Sequence, residues 1–308
     1  METARGPVPQ SRCIVLQAEP APGVLYLVGT PIGNLGDLTP RARQVLSGVD
    51  LIACEDTRRS GLLLHQLGLR DRAEGIGARL ISFHQHNQAS RIPELMAALQ
   101  AGQSLAVVSD AGLPGISDPG EELVATARTA GLPVICVPGP SAVTTALVSS
   151  GLPTGRFCFE GFLPAKANAR RARLGELAGE ARTIVLFEAP HRLVELLEDL
   201  LELLGNRPLR VARELTKRHE EQVGPTVSAA LAHFAQLPPQ GECTLVLGGA
   251  PAEQIPRWSE AELRTELETL LAQGLSRREA ARTLAERSGH SKRELYALLH
   301  NEPGDTNA

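Results

Sequence analysis

The sequence predicts an α/β protein built from two unlike α/β domains, followed by a small helical appendage. Three observations predict this fold class. In the first half, short apolar runs lead three times into a loop rich in glycine and proline, and then into a helix. Repeated units of this kind form mainly parallel sheets with their loops at one edge. A second series of short strands follows, and beyond residue 257 the apolar spacing is helical.

These patterns divide the 308 residues into four parts. Residues 1–22 are rich in proline and alanine and lack periodicity, which predicts a disordered leader. An N-terminal α/β domain over 23–152 and a C-terminal α/β domain over 153–250 follow it. The appendage covers 257–301. A chain of this length favours two medium-sized cores over a single large one.

Composition narrows the classes of function. The net charge of −4 is weak, so a polyanionic partner requires a local basic patch on this protein. The five cysteines are widely spaced and never form CxxC, which argues against a disulfide framework and a zinc site. No apolar run approaches the roughly 20 residues of a membrane span. We therefore expect a cytoplasmic protein without membrane contact.

The first strand is predicted at 24–28 and leads into the glycine-rich loop 29–36. Thr39 and Pro40 then have the positions of a helix cap and a first helical residue. The glycine spacing of the loop matches neither GxGxxG nor a P-loop, and no lysine follows. A nucleotide-phosphate site is therefore not expected here.

Two further strands, at 49–54 and 80–83, also lead into polar residues. The second of them is followed by His84 and His86. No third ligand is spaced to join these two side chains around a metal ion. Contact with a substrate, or ordinary hydrogen bonding, is the preferred interpretation, and no metal is predicted.

The central loop, 109–121, is the stretch around which the rest is organised. It follows an apolar strand at 105–108 and predicts a helix start with Asp118 as N-cap, Pro119 as first helical residue and Glu121 completing a capping box. Such a unit places backbone N–H groups at the carboxyl edge of a sheet, where open α/β folds bind ligands. A plain turn is the alternative, but two similar loops converging on the same edge favour a ligand site.

The second domain begins near residue 157 and soon reaches a cationic segment, 166–173, which contacts phosphates or forms an ordinary solvated helix face. Strands are predicted at 183–187 and 209–212, with an amphipathic helix between them. A last strand at 244–247 closes the sheet.

Eight blocks of sequence occur in a fixed order between residues 23 and 250: LYLVGTPIGNLGDLTPRA, ACEDTR, FHQHN, VVSDAGLPGISDPG, VPGPSAV, FEGFLPAK, FEAPHR and ARELTK. As an ordered set they resemble the ribosomal small-subunit RNA methyltransferase I family, a branch of the tetrapyrrole-methylase superfamily of class III methyltransferases. The resemblance implies S-adenosylmethionine as methyl donor, a cleft between the two domains, and a homodimer. It also implies 2′-O-methylation of cytidine 1402 of 16S rRNA in the 30S subunit.

The resemblance also implies which residues bind the donor. They lie in the three loops of the first domain and at two strand ends of the second: Pro31, Ile32, Gly33, Asp110, Ala111, Gly112, Gly139, Ser141, Ala142, Phe187 and Ala212. Small residues at these positions allow the backbone to approach a ligand closely.

Methyl transfer to a ribose oxygen requires alignment of the two reactants and removal of the hydroxyl proton. Seven side chains are candidate proton acceptors, and the sequence does not rank them: Glu55, Asp56, His84, His86, Glu188, His191 and Glu214. Arg58 and Lys217 are interpreted as groups that orient phosphate or ribose.

Two other classes of function stay open at this point. A corrin-type small-molecule methyltransferase would share the donor cleft, although the EDTR, FHQHN and EAPHR blocks argue against it. A non-catalytic RNA-binding or ribosome-assembly protein would not bind S-adenosylmethionine, so calorimetry separates it from an enzyme.

The appendage resembles a helix-turn-helix, because a lead helix is followed by two short helices joined by a turn with glycine. Ser276 and Ser291 are predicted caps, each with a glutamate three residues later. Residues 275–299 contain six arginines and lysines against three glutamates. We expect this stretch to hold RNA phosphates. A helical cap facing a dimer partner is the alternative.

Overall fold

The computed structural model describes residues 19–70, 77–251 and 258–299. The first domain alternates strands and helices along the chain. Its elements are β1 (Leu25–Val28), α1 (Pro40–Gly48), β2 (Leu51–Cys54), α2 (Thr57–Gln66), β3 (Arg79–Ser82), α3 (Gln88–Gln100), β4 (Leu105–Val108), α4 (Glu121–Thr129), β5 (Val134–Val137) and α5 (Ala142–Ser149).

The five strands of this domain form one parallel sheet in the order β3-β2-β4-β1-β5. The loops that follow β1, β4 and β5 therefore meet at the carboxyl edge, as the sequence predicts. Two backbone hydrogen bonds join the first two loops, from Thr30 N to Gly112 O at 2.9 Å and from Gly112 N to Thr30 O at 3.1 Å. The parallel sheet and the convergence of the loops are confirmed.

The start of α4 differs from the prediction. The helix begins at Glu121 with Gly120 as its N-cap, and Asp118 does not cap it. Gly120 has φ +143°, a conformation that residues other than glycine rarely adopt. Ser117, on the other side of Asp118, has φ +62°. These two turns carry the Asp118 carboxyl away from the helix end, so the predicted capping box is wrong.

The second domain contains a mixed sheet in the order β6-β7-β10-β8-β9. Its elements are β6 (Phe157–Phe162), α6 (Ala167–Glu176), β7 (Thr183–Glu188), α7 (Leu193–Leu204), β8 (Leu209–Arg213), β9 (Glu221–Val223), α8 (Val227–Gln236) and β10 (Cys243–Leu247). β10 lies in the middle of the sheet, antiparallel to β7 and β8, and not at its edge. The short edge strand β9 carries no clear signal in the sequence.

The cationic segment of α6 is neutralised within the domain. Arg170 is buried, and its Nε lies 2.7 Å from Asp199 Oδ2 on α7. Arg171 contacts the same aspartate at 2.6 Å. Arg173 contacts Glu160 of β6, also at 2.6 Å. These contacts dock α6 on its neighbours, so Arg170 belongs neither to a solvated helix face nor to an accessible phosphate site, and Arg171 and Arg173 are engaged by carboxylates.

Helix α5 joins the two domains. Its buried side chains, Val143 and Leu147 among them, pack against Val185 of β7 and Val246 of β10. The face of the second sheet that is covered by α5 lies directly beyond the loops of the first sheet. The interdomain junction therefore holds the carboxyl edge of the first sheet against the second domain.

The appendage consists of α9 (Glu260–Ala272), α10 (Arg277–Ser288) and α11 (Lys292–Leu298). The three helices share a hydrophobic core of their own, which includes Leu267, Leu284 and Leu295. Capping boxes are present at Ser276 and Ser291, as predicted. In the parts of the chain that the structure describes, no helix is long and apolar enough to cross a membrane.

Most of the predicted leader, and the two ends of the predicted appendage range, lie outside the described residues. Residues 19–22 are described, and Glu19 forms an ion pair of 2.6 Å with Arg41 of α1.

Candidate active site

A cavity of about 600 Å³ lies between the two domains, at the carboxyl edge of the first sheet. The loops after β1, β2, β4 and β5 form one side, and the ends of β6, β7 and β8 with the start of β10 form the other. Its lining residues are Pro31, Ile32, Gly33, Glu55, Arg59, Asp110, Ala111, Gly112, Leu113, Ile116, Ser117, Asp118, Ser141, Ala142, Val143, Phe162, Phe187, Ala212, Glu214, Leu215, Lys217, Gly241, Glu242 and Thr244.

Glycines allow the loops to meet around this cavity. A Cβ on Gly29 would lie 2.7 Å from Gly139 Cα, so the loops after β1 and β5 touch through their backbones. A Cβ on Gly33 would lie 2.9 Å from Leu215 O in the second domain. Gly112 has φ +86°, which an alanine rarely adopts. A larger residue at these positions would push the loops apart or strain them.

Glu55 and Asp118 form a carboxyl pair inside the cavity. β2 and β4 are parallel neighbours, with Cys54 opposite Val108, so Glu55 and the loop after β4 emerge side by side. Both carboxyl groups line the same part of the cavity, where each influences the ionisation of the other. Desolvation, followed by the charge of Asp118, raises the pKa of Glu55 to about 7.

Four of the five remaining charged groups of the lining form two ion pairs at its rim. Arg59 Nη1 lies 2.9 Å from Asp110 Oδ2, and Lys217 Nζ lies 2.8 Å from Glu214 Oε1. The other oxygen of Asp110, Oδ1, is buried and has no hydrogen-bond partner among the described residues. Counting both rim pairs, five carboxyl groups and two basic groups line the cavity. The cavity therefore favours a cationic ligand over an anionic one.

An aromatic wall completes the site on the side of the second domain. Phe162 is 45% exposed, and its ring centroid lies 5.5 Å from that of Phe187. Phe187 in turn packs edge-on against Phe159 at 5.0 Å. These rings offer an apolar surface to a planar group in the cavity.

Comparison with known proteins assigns a family to this arrangement. The family model of tetrapyrrole (corrin/porphyrin) methylases matches residues 24–232. The chain is 53% identical to ribosomal RNA small subunit methyltransferase I of Synechocystis sp. over 90% of its own length and 97% of the relative's length. The chain belongs to the ribosomal RNA small subunit methyltransferase I family. The protein of that name from Escherichia coli O157:H7 is 45% identical, with 93% and 98% of the two chains covered.

The fold is also found in distant members of the wider group. The crystal structure of uroporphyrin-III-C-methyltransferase from Thermus thermophilus aligns with a TM-score of 0.52 and 24% identity, over 76% of this chain and 96% of that one. This likeness supports the architecture of two joined α/β domains. The family membership makes the chain a methyltransferase, and S-adenosylmethionine is its methyl donor.

The residues of the cleft fit this donor. A volume of about 600 Å³ lies within the range of ordinary cofactor pockets. The carboxyl-rich lining suits a molecule that carries a sulfonium and an ammonium group. Asp110 Oδ1 is buried without a partner among the described residues, so it offers an acceptor to the bound donor. The backbone contacts of Gly29 and Gly33 leave room for it without side-chain obstruction.

Ten of the eleven positions that the resemblance implies for donor binding line this one cavity, together with Glu55 and Glu214 of the candidate proton acceptors. The exception is Gly139, which lies against Gly29 and lines a neighbouring pocket with Asp37 and Thr216. The loops thus bring together residues from both domains that are more than 150 positions apart.

The other candidate proton acceptors and Arg58 lie outside the lining. Asp56 caps α2 and accepts a hydrogen bond from Arg58 N at 2.7 Å. His84 and His86 pack edge-on at 6.0 Å in the turn after β3. The Arg58 and His191 side chains are exposed.

Glu188 is fully buried beneath the cavity wall. Its Oε2 lies 3.2 Å from Arg192 Nη2, and Ala189 N donates to its Oε1 at 2.8 Å. Desolvation raises its pKa. These contacts tie the end of β7 to the helical turn that follows it.

Sequence reasoning missed three charged residues of the cavity. The sequence does not indicate Asp118 as a site residue, because the run Asp-Pro-Gly-Glu is typical of a helix start. Arg58 and Arg59 are adjacent in the sequence. Their side chains leave α2 in different directions, which places Arg59 in the lining and Arg58 outside it. Glu242 precedes β10, whose start lies at the cavity because β10 runs antiparallel to β7 and β8. The antiparallel direction was the signal that could have identified it.

Proposed function

We propose that this protein transfers a methyl group from S-adenosylmethionine to the ribose 2′-oxygen of cytidine 1402 of 16S rRNA in the 30S subunit. The observation that carries the proposal is the acidic interdomain cleft, which combines a cationic-ligand lining with the loops of this methyltransferase family. The names of the relatives support a ribosomal RNA acceptor. The donor supplies an activated methyl group, so the protein contributes alignment and proton removal.

We assign donor binding to the loops after β1, β4 and β5 and to the strand ends of the second domain. Asp110 Oδ1 accepts a hydrogen bond from the bound donor, because it is buried and otherwise unpartnered among the described residues. Phe162 and Phe187 supply the apolar wall for a base. Lys217 and Arg59, at the rim, contact the phosphates that flank the target nucleotide.

The candidates outside the lining receive supporting roles in this proposal. Asp56 fixes the first turn of α2, and Arg58 at that turn reaches RNA phosphate from the surface. His84, His86, Glu188 and His191 make no contact with the reacting atoms. The protein acts in the cytoplasm as a homodimer, and the appendage binds ribosomal RNA through α10 and α11.

The proposal is tested with purified protein, S-adenosylmethionine and 30S particles that lack the modification. Nuclease digestion and mass spectrometry should find one added methyl group on the ribose of cytidine 1402. Naked 16S rRNA serves as a parallel substrate and reports whether the assembled particle is required. Methylation of a base, of another nucleotide, or of a tetrapyrrole in place of RNA would contradict the proposal.

A further inference from the structure

The carboxyl pair of Glu55 and Asp118 has a property that donor binding does not require. Independent carboxylates such as Asp110 and Glu242 already supply negative charge to the cavity. Burial raises the pKa of both carboxyl groups, so the pair retains a proton more readily and contributes less charge than two solvated carboxylates. Its distinctive capacity is to take up or release a proton inside the cavity.

The backbone conformation that places Asp118 beside Glu55 is one that the local sequence does not favour. Ser117 has φ +62°, a conformation that costs energy for a residue with a side chain. The loop is pressed against the second domain, since a Cβ on Gly161 would lie 3.1 Å from Ser117 Oγ. Asp118 also forgoes the capping position that the sequence offers it at α4. Strain held in place by a neighbouring domain is typical of functional sites.

We propose that Glu55 is the general base of methyl transfer and that Asp118 is the positioning residue that holds it. The inference rests on the proposed function, because it takes the ribose 2′-hydroxyl as the acceptor. The hydroxyl oxygen forms a bond to the methyl carbon, and the carbon–sulfur bond breaks with its electron pair left on sulfur. The hydroxyl proton moves to Glu55 Oε1, which is buried and has no donor among the described residues.

The groups around the pair set the pH range of this step. Desolvation and Asp118 raise the pKa of Glu55 to about 7, and Asp110 and Glu242 act in the same direction. The two basic groups of the lining, Arg59 and Lys217, are each engaged by a carboxylate at the rim. A base with a pKa near the working pH combines an available ionised form with good proton affinity.

The test compares two variants of the pair with a matched control in single-turnover reactions on 30S particles at saturating donor, between pH 5.5 and 9. Glu55→Gln should lower the rate at least about 100-fold and change the Kd for S-adenosylmethionine less than about threefold. Asp118→Asn keeps the base but removes the charge that opposes its ionisation. Its rate profile should retain an inflection, moved from near 7 toward the ordinary glutamate range.

Asp50 provides the control, because it precedes the same strand β2 at the opposite edge of the sheet. Its carboxylate accepts hydrogen bonds from Ser104 N and Oγ, both at 2.7 Å. Asp50→Asn should leave the inflection near 7 in place. Infrared difference spectra of the free protein add a readout that does not depend on activity. The wild type should lose a protonated carboxyl band near pH 7, and Glu55→Gln should lack that band.

The outcomes separate the base assignment from the proposed function. An unchanged rate and inflection in Glu55→Gln would overturn the base assignment, and so would a loss of donor affinity with a normal rate at saturation. If Glu55→Gln does not fold, an unmoved inflection in Asp118→Asn overturns it. A wild type that binds donor and shows the infrared band, yet transfers no methyl group to cytidine 1402, refutes the proposed function and the assignment with it.

Discussion

The cleft and the appendage differ in both charge and burial. The cleft is lined by five carboxyl groups and two basic groups, and both basic groups are paired with carboxylates. The stretch 275–299 of the appendage carries six basic residues against three glutamates, and Arg278, Arg282 and Arg293 are exposed. An acidic cleft repels RNA phosphates, whereas an exposed basic surface attracts them. The cleft that we propose for the donor is therefore unsuited to supply most of the affinity for RNA.

The largest effect is expected for a substitution in the cleft that changes donor affinity alone. Ala142, at the start of α5, lines the cavity, so Ala142→Phe places a ring in the space assigned to the donor. We expect roughly a thousandfold loss of affinity for S-adenosylmethionine in calorimetry, with binding to 30S particles nearly unchanged. Val148 lies on the same helix and is 72% exposed, so Val148→Phe is the matched control. Equal donor affinity in both variants would remove the proposed donor site.

The next effect concerns the arginines of α6, which resemble those of the appendage in sequence but not in environment. Arg170 is buried and contacts Asp199, so Arg170→Ala leaves this buried carboxylate with the partly exposed Arg171 as its remaining basic partner. Breaking such a pair costs about 3 kcal/mol. We expect that loss in denaturant unfolding, with no change in the salt dependence of 30S binding. If 30S binding by Arg170→Ala depended less on salt than that of the wild type, α6 would belong to the RNA interface.

These two arginine-rich segments show where sequence reasoning succeeds and where it stops. Local patterns predicted the parallel sheet, the caps at Ser276 and Ser291 and the convergence of three loops, because each depends on neighbours in sequence. The partners of Arg170 lie on α7, some 25 to 29 positions away, and no local pattern identifies them.

The same limit applies to the candidate site. Asp118 has the sequence context of a helix cap, and only the folded chain shows that α4 begins at Glu121 and that Asp118 lines the cavity with Glu55. The family resemblance supplied the cofactor positions, while the carboxyl pair required three-dimensional neighbours. The sheet order places β2 beside β4, and that adjacency is what joins the two carboxyl groups.

A third prediction tests the appendage. Reversing the charge of four exposed residues, Arg278 and Arg282 on α10 with Lys292 and Arg293 on α11, should weaken 30S binding about tenfold or more. The slope of log affinity against log salt should become shallower by roughly 0.9 for each phosphate that the variant no longer neutralises. Donor affinity should not change, since the appendage has its own core.

Arg43→Glu, at an exposed position on α1, controls for the general loss of positive charge. A variant of the appendage that binds 30S particles normally but dissociates into monomers would assign α10 and α11 to the dimer interface. An equal loss of 30S affinity in Arg43→Glu would instead indicate a diffuse electrostatic effect without a defined surface.

The smallest expected effect is on stability, and it distinguishes the cleft from the appendage by its pH dependence. The ordinary pKa of Glu55 is 4.5 and its folded value is about 7, so the folded protein retains a proton that the unfolded chain releases between these values. The resulting stabilisation is present below pH 4.5 and is lost as the pH rises to about 7. At pH 8 the ionised Glu55 is a poorly solvated charge in the cleft. The charged side chains of the appendage are exposed, so they carry no such cost.

Glu55→Gln removes this ionisation and keeps the shape of the side chain. Its Tm should exceed that of the wild type by roughly 2–4 °C at pH 8, which corresponds to about 1 kcal/mol, and should be close to it at pH 5. The same comparison for Glu268→Gln, at an exposed position on α9, should show no such pH dependence. A gain in stability together with a loss of turnover would mean that the cleft retains an unfavourable charge for its chemistry. A Tm that is lower than wild type at pH 8 would show that ionised Glu55 is instead stabilised by the cleft, and the contrast with the appendage would then rest on net charge alone.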